Sequence, residues 1–350
     1  MAFDLYKFKN SYESDKSLKD AQVVNLAEAF TTKLFVSTQV PAIDWAFGSG
    51  LPIGKLAEIT GDFSSGKSLI ATHVLAETLK RGAFAVLLEN ETSMELQFCE
   101  NVGLDYSKLS HWCPKTLQQG YQIIFSTLDI LEAARKAGEA PPFTVMVWDS
   151  VSSAPTVELK RDKDGKVNVD FSMKDRLSAA VIHSNLLPHL MSRLEENNVL
   201  LIMLSQLRDK VGVMYGATEE TMGGRGLKFY SHIRAMFKKG QKILDDKDNI
   251  IGRTGTVEVT KNKCAPPFRK VDLNILFDRG FDYTSGFGDL LLNVGLITRE
   301  KNSYYYTGSG NLSKACTPET QIARSKADLA ELIQNNKEWK DVFIKDLSMV

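Results

Sequence analysis

The sequence has few cysteines, and none of them belongs to a metal-binding or disulfide pattern. The four residues are far apart and form no CxxC pair or Cys/His spacing: Cys99, Cys113, Cys264 and Cys316. This usage is typical of proteins from a reducing compartment. We therefore interpret all four as ordinary buried thiols, and we expect no structural metal.

Long apolar runs are also absent. No stretch approaches the roughly 20 apolar residues that a transmembrane helix needs, and the first residues, MAFDLYKFKN, lack the apolar core of a signal peptide. We expect a soluble protein of the cytoplasm that has no membrane partner.

The chain carries no excess of charge of either sign. Its 43 basic and 43 acidic side chains give a formal net charge of zero over 350 residues. A nucleic acid would therefore have to be bound by a local basic patch, and not by the charge of the whole molecule. No internal repeat or low-complexity segment is visible.

A phosphate-binding loop is the strongest pattern that is present. Residues 61 to 68, GDFSSGKS, match G-x-x-x-x-G-K-[ST] at every fixed position. An apolar strand precedes them and the helical stretch Leu69 to Lys80 follows, which is the context that this motif requires. A glycine-rich turn is the alternative, but the context favours ATP binding. The expected nucleotide contacts are Gly61, Asp62, Phe63, Ser64, Ser65, Gly66, Lys67, Ser68 and Leu69.

Each fixed position of the loop has a chemical reason. Gly61 and Gly66 let the backbone approach phosphate closely, so that amide groups face the anion. The Lys67 ammonium is expected to reach the β- and γ-phosphates, and the Ser68 hydroxyl to bind Mg²⁺.

The rest of the chain alternates strand and helix patterns. Strands are predicted at 84 to 89, 143 to 149 and 199 to 205, and helices at 94 to 102, 117 to 136 and 174 to 196. Pro188 is expected to kink or split the last helix. The pattern predicts an α/β fold with a mostly parallel central sheet.

Beyond Gly223 the pattern changes. Two-residue alternation at 229 to 237, 256 to 261 and 271 to 277 predicts an antiparallel extension of the sheet. Residues 279 to 350 look helical and polar. We therefore divide the chain into an N-terminal helical segment that could mediate oligomerisation (1 to 35), an ATPase core (36 to 279) and a small C-terminal domain (280 to 350).

Polar residues follow three of the predicted strands. Asp149 ends an apolar strand, the position at which P-loop proteins hold Mg²⁺, although such a residue can also be a simple cap. Glu89, Glu91 and Glu95 follow the second strand, where a carboxylate could activate water or merely favour a helix N-terminus. Gln206 follows the fourth strand and could sense the γ-phosphate or merely close the strand.

Three further stretches carry a family resemblance. QLRDKVGVMYG (206 to 216), TMGGRGLKFY (221 to 230) and VTKNKCAPPF (259 to 268) closely resemble the RecA recombinase family. With the P-loop in the same order, the resemblance covers residues 36 to 290. It implies a RecA-type ATPase core and a DNA-dependent ATPase that forms a helical filament on single-stranded DNA and exchanges strands with a homologous duplex.

The resemblance also assigns roles to particular residues. Glu91 matches the glutamate that activates water, and Gln206 matches the nucleotide-sensing glutamine. Lys261 and Lys263 match lysines that reach the ATP of the adjacent subunit. Glu95 and Phe98 stand where the family has residues beside the adenine, while Lys228 and Phe229 match positions of the subunit interface.

Two loops are expected to bind DNA. Residues 156 to 170 hold the place of the first, and residues 207 to 222 match the second. Apolar and aromatic side chains on such a loop can wedge between bases without reading their sequence. The predicted DNA-binding residues are Arg208, Lys210, Val211, Gly212, Val213, Met214, Tyr215, Gly223, Gly224 and Arg225.

The sequence departs from the family in three places. Residues 1 to 35 do not match the usual polymerisation arm, the first loop is longer and more charged, and the C-terminal region lacks the acidic tail of cellular members. In this last feature the chain is similar to phage-encoded members of the family. A phage-encoded protein would be located in the host cytoplasm. The alternatives are a ring helicase, which has no reason to carry the GVMYG loop or the KNK pair, and a mediator paralogue.

Overall fold

The computed structural model describes residues 34–90, 96–156, 174–209, 219–221, 224–282, 284, 286–308 and 320–347. The chain from Leu34 onward forms one compact unit. The predicted N-terminal helical segment lies outside the described residues, apart from Leu34 and Phe35.

The secondary structure begins with alternating strands and helices. In chain order they are β1 (Phe35–Val36), α1 (Pro41–Phe47), β2 (Leu51–Pro52), β3 (Leu56–Gly61), α2 (Lys67–Lys80), β4 (Phe84–Glu89), α3 (Leu96–Val102), β5 (Ser110–Trp112), α4 (Leu117–Ala137) and β6 (Thr144–Asp149). The strand β5 is too short to have been predicted from its three residues.

The remaining elements begin with a long helix and continue with mostly antiparallel strands. They are α5 (Lys174–Glu196), β7 (Val199–Asp209), β8 (Glu219–Thr221), α6 (Gly224–Tyr230), β9 (Ile233–Leu244), β10 (Ile250–Asn262), β11 (Lys270–Leu276), β12 (Gly280–Asp282), α7 (Phe287–Asn293), β13 (Ile297–Glu300), β14 (Ser303–Tyr306), β15 (Gln321–Ala323), α8 (Lys326–Asn335) and α9 (Lys337–Leu347).

One large mixed sheet organises the molecule. Its strands lie in the order β12-β11-β10-β9-β3-β7-β6-β4-β5, and β8 pairs with β7 outside this path. The strand β3 is central and runs parallel to both β7 and β9, while β9 to β12 pair antiparallel. The prediction of a parallel core with an antiparallel extension is therefore confirmed.

The central strands are buried on both faces. Every residue of β3 and β6 is buried, so these strands lack the alternation of a half-exposed sheet. Alternate residues of β3 face opposite cores: Ala57 and Ile59 pack with α2 residues such as Val74, and Leu56 packs with Leu128 of α4. The helices thus cover the sheet from both sides.

Local signals explain where the helix α4 begins and ends. The Thr116 hydroxyl accepts a hydrogen bond from the amide of Gln119, and Gly138 ends the helix in a left-handed conformation at φ 77°. Capping of this kind satisfies main-chain groups that have no partner inside the helix.

One prediction about a single element is wrong, and another is wrong in part. The expected strand from Phe229 to Phe237 begins only at Ile233, because residues up to Tyr230 form α6. The buried residues Ile233, Ala235 and Phe237 do alternate, but Phe229 belongs to the helix and is exposed. Pro188 does not split α5, which is one element from Lys174 to Glu196, and the kink that it could cause stays a prediction.

The C-terminal region is not purely helical, which corrects the expectation for residues 279 to 350. The strands β13, β14 and β15 form a separate three-stranded antiparallel sheet. Tyr304 and Tyr306 are buried on β14, and the Tyr306 ring packs edge-on against Trp339 of α9. Because tyrosine can bury its ring in such a cluster, a segment that reads as polar still supports a small core. The boundary near residue 280 stays a prediction.

The cysteines are not uniformly buried. Cys99 is buried, Cys264 is intermediate and Cys113 is exposed, so the expectation of four buried thiols is wrong for Cys113. Cys316 lies outside the described residues.

Candidate nucleotide-binding site

The P-loop joins β3 to α2, as its sequence context predicts. Gly66 adopts a left-handed conformation at φ 97°. A Cβ on Gly61 would lie 2.2 Å from the main-chain oxygen of Phe237, and a Cβ on Gly66 would lie 3.0 Å from the Ile275 side chain. Glycine is therefore required at both positions by close packing of the loop against neighbouring strands.

The Lys67 ammonium is held inside the loop. Its Nζ donates hydrogen bonds to the main-chain oxygens of Gly61, at 2.9 Å, and Asp62, at 2.5 Å. The residue is buried, whereas Ser68 and the tip residue Phe63 are exposed. The loop thus combines a buried cation with a hydroxyl that faces solvent.

The residues present fit a nucleotide phosphate with Mg²⁺. The buried Ser65 Oγ has no hydrogen-bond partner among the described residues, and a buried hydroxyl without a partner indicates a place for a polar ligand. Gly61 and Gly66 carry no Cβ atom, which lets the loop pack closely against β9 and β11. A phosphate would meet loop amides and Lys67, while the oxygens of Ser68 and Asp149 are of the kind that Mg²⁺ prefers.

Three more candidate residues, Gln206, Glu89 and Asp149, lie at the same edge of the sheet as the P-loop. In the parallel register Gly61 of β3 lies beside Gln206 of β7, and Glu89 of β4 lies beside Asp149 of β6. Glu89 and Asp149 are both buried. The P-loop, the strand-ending aspartate and the predicted sensing glutamine therefore meet at the carboxyl ends of parallel strands, where α/β sheets bind ligands.

Two residues that support this edge were missed by sequence reasoning. His111 Nε2 lies 3.0 Å from the buried Glu89 carboxylate. The Asn90 amide group donates to the Pro114 oxygen, and its Oδ1 accepts from Trp148 Nε1 at 2.7 Å. Asn90 is the neighbour of Glu91, and that adjacency was the only signal in the sequence.

The strand β7 connects the nucleotide edge to the second DNA-binding loop. The main-chain N–H of Gln206 donates to Ser152 Oγ at 2.9 Å, just beyond β6. Three residues of β7 then pair antiparallel with β8: Leu207 lies beside Thr221, Arg208 beside Glu220 and Asp209 beside Glu219. The predicted loop therefore begins as a two-stranded ribbon.

Part of the predicted site lies outside the described residues. These positions are Glu91, Glu95, Lys210, Val211, Gly212, Val213, Met214, Tyr215 and Gly223, together with most of the first loop. For four others the backbone alone is described: Phe98 lies in α3, Arg208 in β7, and Gly224 and Arg225 begin α6.

The lysine pair lies on the other side of β3, around the end of β10. The Lys261 side chain lies close to the C-terminus of α6, where its Nζ donates hydrogen bonds to the main-chain oxygens of Lys228 and Phe229. Lys263 is exposed. Burial, and then the charges of Lys263 and Arg234, lower the pKa of Lys261.

A neutral histidine lies beside this pair. Burial, followed by the charges of Lys55, Lys263 and Lys261, lowers the pKa of His232 to about 4. Phe229 is 71% exposed, and its ring contacts Tyr230 edge-on. An exposed aromatic residue beside concentrated positive charge is a surface suited to a partner.

Arg253 also touches the candidate site. Its Nη1 lies 3.0 Å from the main-chain oxygen of Ser64 in the P-loop. Nothing in the sequence indicated this contact. Arg253 lies 189 residues after Ser64 in the chain, at an ordinary position in an alternating strand.

A separate cavity of about 330 Å³ lies between the antiparallel strands and the C-terminal helices. Its carboxylates are already engaged: Asp282 accepts from Thr284, and Asp289 pairs with Lys326. We therefore place the candidate site at the P-loop and not in this cavity. None of the described helices is long and apolar enough to cross a membrane.

Comparison with known proteins gives consistent matches along most of the chain. Residues 10–282 match the family described as the RecA N-terminal domain. The chain is 33% identical over 324 residues to Protein RecA of Mesomycoplasma hyopneumoniae strain J, covering 90% of this chain and 86% of that protein. It is 34% identical over 281 residues to Protein RecA of Chlorobium limicola, covering 80% and 75%, and 32% identical over 328 residues to Protein RecA of Heliobacterium modesticaldum, covering 92% and 86%.

Proposed function

The chain belongs to the RecA family of recombinases, which act in DNA recombination and repair, and on this basis we propose that it hydrolyses ATP in response to single-stranded DNA. The reaction would produce ADP and phosphate with Mg²⁺ as cofactor. The protein would assemble as a helical filament on the single strand and pair it with homologous double-stranded DNA.

The continuity of β7 carries this proposal. Gln206 lies beside Gly61 at the start of the P-loop, and the next residues of the same strand form the ribbon with β8. A displacement of Gln206 on nucleotide binding would therefore be transmitted along a rigid strand to residues 210 to 218. Coupling of two sites requires such an element with two arrangements.

Each residue at the edge has a defined task in the proposed reaction. Lys67 would leave its loop carbonyls and bind the phosphates, while Ser68 and Asp149 would hold Mg²⁺, which neutralises phosphate charge when bound. Glu91 would orient or deprotonate the attacking water, Gln206 would sense the γ-phosphate, and Lys261 and Lys263 would add positive charge from the neighbouring subunit. Glu95 and Phe98 would contact the base.

The DNA contacts would divide between backbone and bases. Arg208, Lys210 and Arg225 would contact phosphates, which positions the strand without reading its sequence. Val211, Val213, Met214 and Tyr215 would contact bases by wedging or stacking, and the glycines at 212, 223 and 224 would let the backbone approach the strand. Lys228 and Phe229 would lie between subunits.

The proposed function implies a location for the protein and a role for each part of the chain. A protein that acts on chromosomal or phage DNA would work in the cytoplasm, and for a phage-encoded protein this would be the host cytoplasm. Residues 1 to 35 would contribute to assembly, residues 36 to 279 would form the ATPase core, and residues 280 to 350 would form a separate small domain.

The central experiment measures ATP hydrolysis with and without single-stranded DNA. We expect DNA to stimulate the wild-type protein, and Lys67→Ala to abolish both nucleotide binding and stimulation. Lys80→Ala is the matched control, because it removes an exposed lysine from the other end of the same helix. Unchanged nucleotide affinity in Lys67→Ala would contradict the proposed site.

The remaining alternatives differ in what the protein does with DNA. Electron microscopy with single-stranded DNA and a non-hydrolysable ATP analogue should show an extended helical filament, whereas a ring helicase would form closed rings. A strand-exchange assay with homologous duplex separates a recombinase from a mediator paralogue, which would bind ATP and DNA but give no exchanged product.

A further inference from the structure

Arg253 connects the antiparallel part of the sheet to the tip of the P-loop. It lies on β10, and its Nη1 donates a hydrogen bond to the main-chain oxygen of Ser64 at 3.0 Å. Ser64 has a left-handed backbone at φ 57°, which is uncommon for a residue other than glycine. The contact thus fixes the loop at a residue with an unfavourable backbone conformation.

Apart from the contact with Ser64, the surroundings of position 253 give no reason for an arginine there. Its register neighbours are Lys242 on β9 and Ile275 on β11. Like charges directly opposite one another destabilise a sheet. Within the described parts of the chain Arg253 forms no ion pair that would offset this repulsion. The Ser64 oxygen is its hydrogen-bond partner.

Peptide geometry gives the contact a consequence for ligand binding. The bond between Ser64 and Ser65 is trans, so the Ser64 carbonyl and the Ser65 amide point in opposite directions. A guanidinium that holds the carbonyl on the β10 side turns the Ser65 N–H toward the other side of the loop. Amides of a P-loop bind phosphate through such N–H groups.

Lys67 holds two other loop carbonyls, those of Gly61 and Asp62. If Lys67 turns to a phosphate, as the proposed function requires, those two carbonyls lose a donor. Arg253 comes from another part of the sheet and does not have to move. It is therefore suited to preserve the orientation of the loop while the phosphate is bound.

We propose that Arg253 is a positioning residue for the nucleotide phosphates, acting through the Ser64 carbonyl on the Ser65 amide. This inference rests on the proposed ATP-binding function. Because loop amides cradle the phosphates that ADP and ATP share, the contribution of Arg253 is the same for both nucleotides. A direct contact of Arg253 with the γ-phosphate would affect ATP alone.

The test compares three variants with the wild-type protein. Arg253→Met removes the donors but keeps an unbranched chain, and Arg253→Lys keeps a cation that can reach a carbonyl. Lys242→Met is the charge-matched control, since Lys242 is exposed and lies directly opposite on β9. The affinities for ADP and for a non-hydrolysable ATP analogue are measured by titration calorimetry, and folding is checked by thermal unfolding without nucleotide.

We expect Arg253→Met to weaken the binding of both nucleotides by the same factor, roughly three- to tenfold, which corresponds to the ordinary net contribution of one hydrogen bond. Arg253→Lys should recover most of the affinity, and Lys242→Met should bind as the wild type does. A purely structural tie would lower the unfolding temperature and leave both affinities unchanged.

Several results would overturn the inference. These are unchanged affinities in Arg253→Met, a loss confined to the ATP analogue, or an equal loss in Lys242→Met. If Arg253→Met does not fold, Arg253→Gln replaces it, because the shorter, neutral glutamine side chain does not reach the Ser64 oxygen. Equal ADP affinities of the Arg253→Gln and Arg253→Lys proteins would then count against the proposal. A wild-type protein that binds neither nucleotide would instead refute the proposed function.

Discussion

The side-chain nitrogen of Lys261 lies 2.8 Å from the main-chain oxygen of Lys228. The same nitrogen lies 2.7 Å from the oxygen of Phe229, so it binds two carbonyl groups at the C-terminus of α6. A cation is favourable there because those carbonyls lack partners within the helix and carry the negative end of its dipole. Lys261 is therefore not a freely solvated lysine at the end of a strand.

The first prediction concerns the fold of the isolated protein. Lys261→Met should lower the free energy of unfolding by about 1 to 2 kcal/mol, because two main-chain carbonyls at the end of α6 lose their hydrogen-bond donor. Lys263→Met removes the same charge from an exposed position and should change it by no more than about 0.5 kcal/mol. Urea unfolding without nucleotide or DNA measures both. Equal stabilities would show that the Lys261 contacts contribute nothing.

The second prediction concerns pH and the buried carboxyl group of Asp44. This group accepts hydrogen bonds from the Ser37 hydroxyl and from the amide and hydroxyl of Thr38. Burial nevertheless raises its pKa from 3.8 to about 6, and the negative charge of Glu77 adds to the effect. Between these two values the folded state holds a proton that the unfolded state has lost. The stability from this group is therefore present in acid and falls as the pH rises toward 6.

Replacing Asp44 by asparagine removes this titration. The stability of Asp44→Asn relative to wild type should rise by on the order of 2 kcal/mol between about pH 4 and about pH 7. Other titrating groups, such as the buried His73, are common to both proteins and cancel in the difference. Urea unfolding across this range checks the prediction, with Asp246→Asn on an exposed turn as the control. Parallel stability profiles for Asp44→Asn and wild type would contradict it.

The third prediction concerns the second DNA-binding loop. Tyr215→Ala should weaken binding to single-stranded DNA by roughly 1 to 3 kcal/mol with little dependence on sequence, as expected for loss of an aromatic contact with bases. Fluorescence anisotropy with homopolymeric and mixed oligonucleotides measures this loss. Reduced folded stability with unchanged DNA affinity would indicate that Tyr215 serves the fold.

The fourth prediction separates charge from stacking in the same loop. Arg208→Ala should reduce the salt dependence of DNA binding by about one counterion, because one phosphate contact is lost. Tyr215→Ala should leave the slope unchanged. Titrations at several salt concentrations compare the two variants, and equal slopes for wild type and Arg208→Ala would remove Arg208 from the phosphate contacts.

The sequence predicted those parts of the fold whose signals are local. The P-loop and its flanking strand and helix follow from residues 56 to 80, and the strands β4 and β6 are long apolar runs. The last two residues of the short helix α6 were assigned to a strand because Phe229 is in phase with the alternating residues of β9. The small C-terminal sheet was missed because its strands have only three or four residues each and bury few side chains, among them Tyr304 and Tyr306.

The candidate site could be predicted only where a motif or a resemblance named its residues. The register that brings Gln206 beside Gly61 depends on strand order, which no short pattern encodes. The contact between Arg253 and Ser64 depends on the pairing of β9, β10 and β11, since the two residues are distant in the chain. Neither residue type nor spacing distinguishes Arg253 from any other arginine on an antiparallel strand.

The last prediction concerns where the active site is completed. If Lys261 and Lys263 act on the ATP of a neighbour, each site combines Lys67, Glu91 and Asp149 of one subunit with the lysines of the next. An ammonium group has three N–H donors, and the carbonyls of Lys228 and Phe229 accept two of them. On assembly, the third donor of Lys261, or one released from these carbonyls, would face the neighbour's ATP. Added positive charge stabilises the transition state of phosphoryl transfer, so hydrolysis would depend on assembly.

A mixing experiment tests this arrangement. Glu91→Gln and Lys261→Ala proteins should each be nearly inactive alone, the first because a group that activates water contributes about 10²- to 10⁴-fold. In a co-assembled equal mixture, about a quarter of the head-to-tail interfaces would pair an intact Glu91 with an intact Lys261, and DNA-dependent ATP hydrolysis should recover accordingly. A mixture of Glu91→Gln with Lys67→Ala is the control, because both changes affect the same half of the site and an interface between them still leaves that half defective. If mixed filaments form without recovery above the sum of the separate proteins, Lys261 either acts within its own subunit or serves only the fold through its bonds to Lys228 and Phe229.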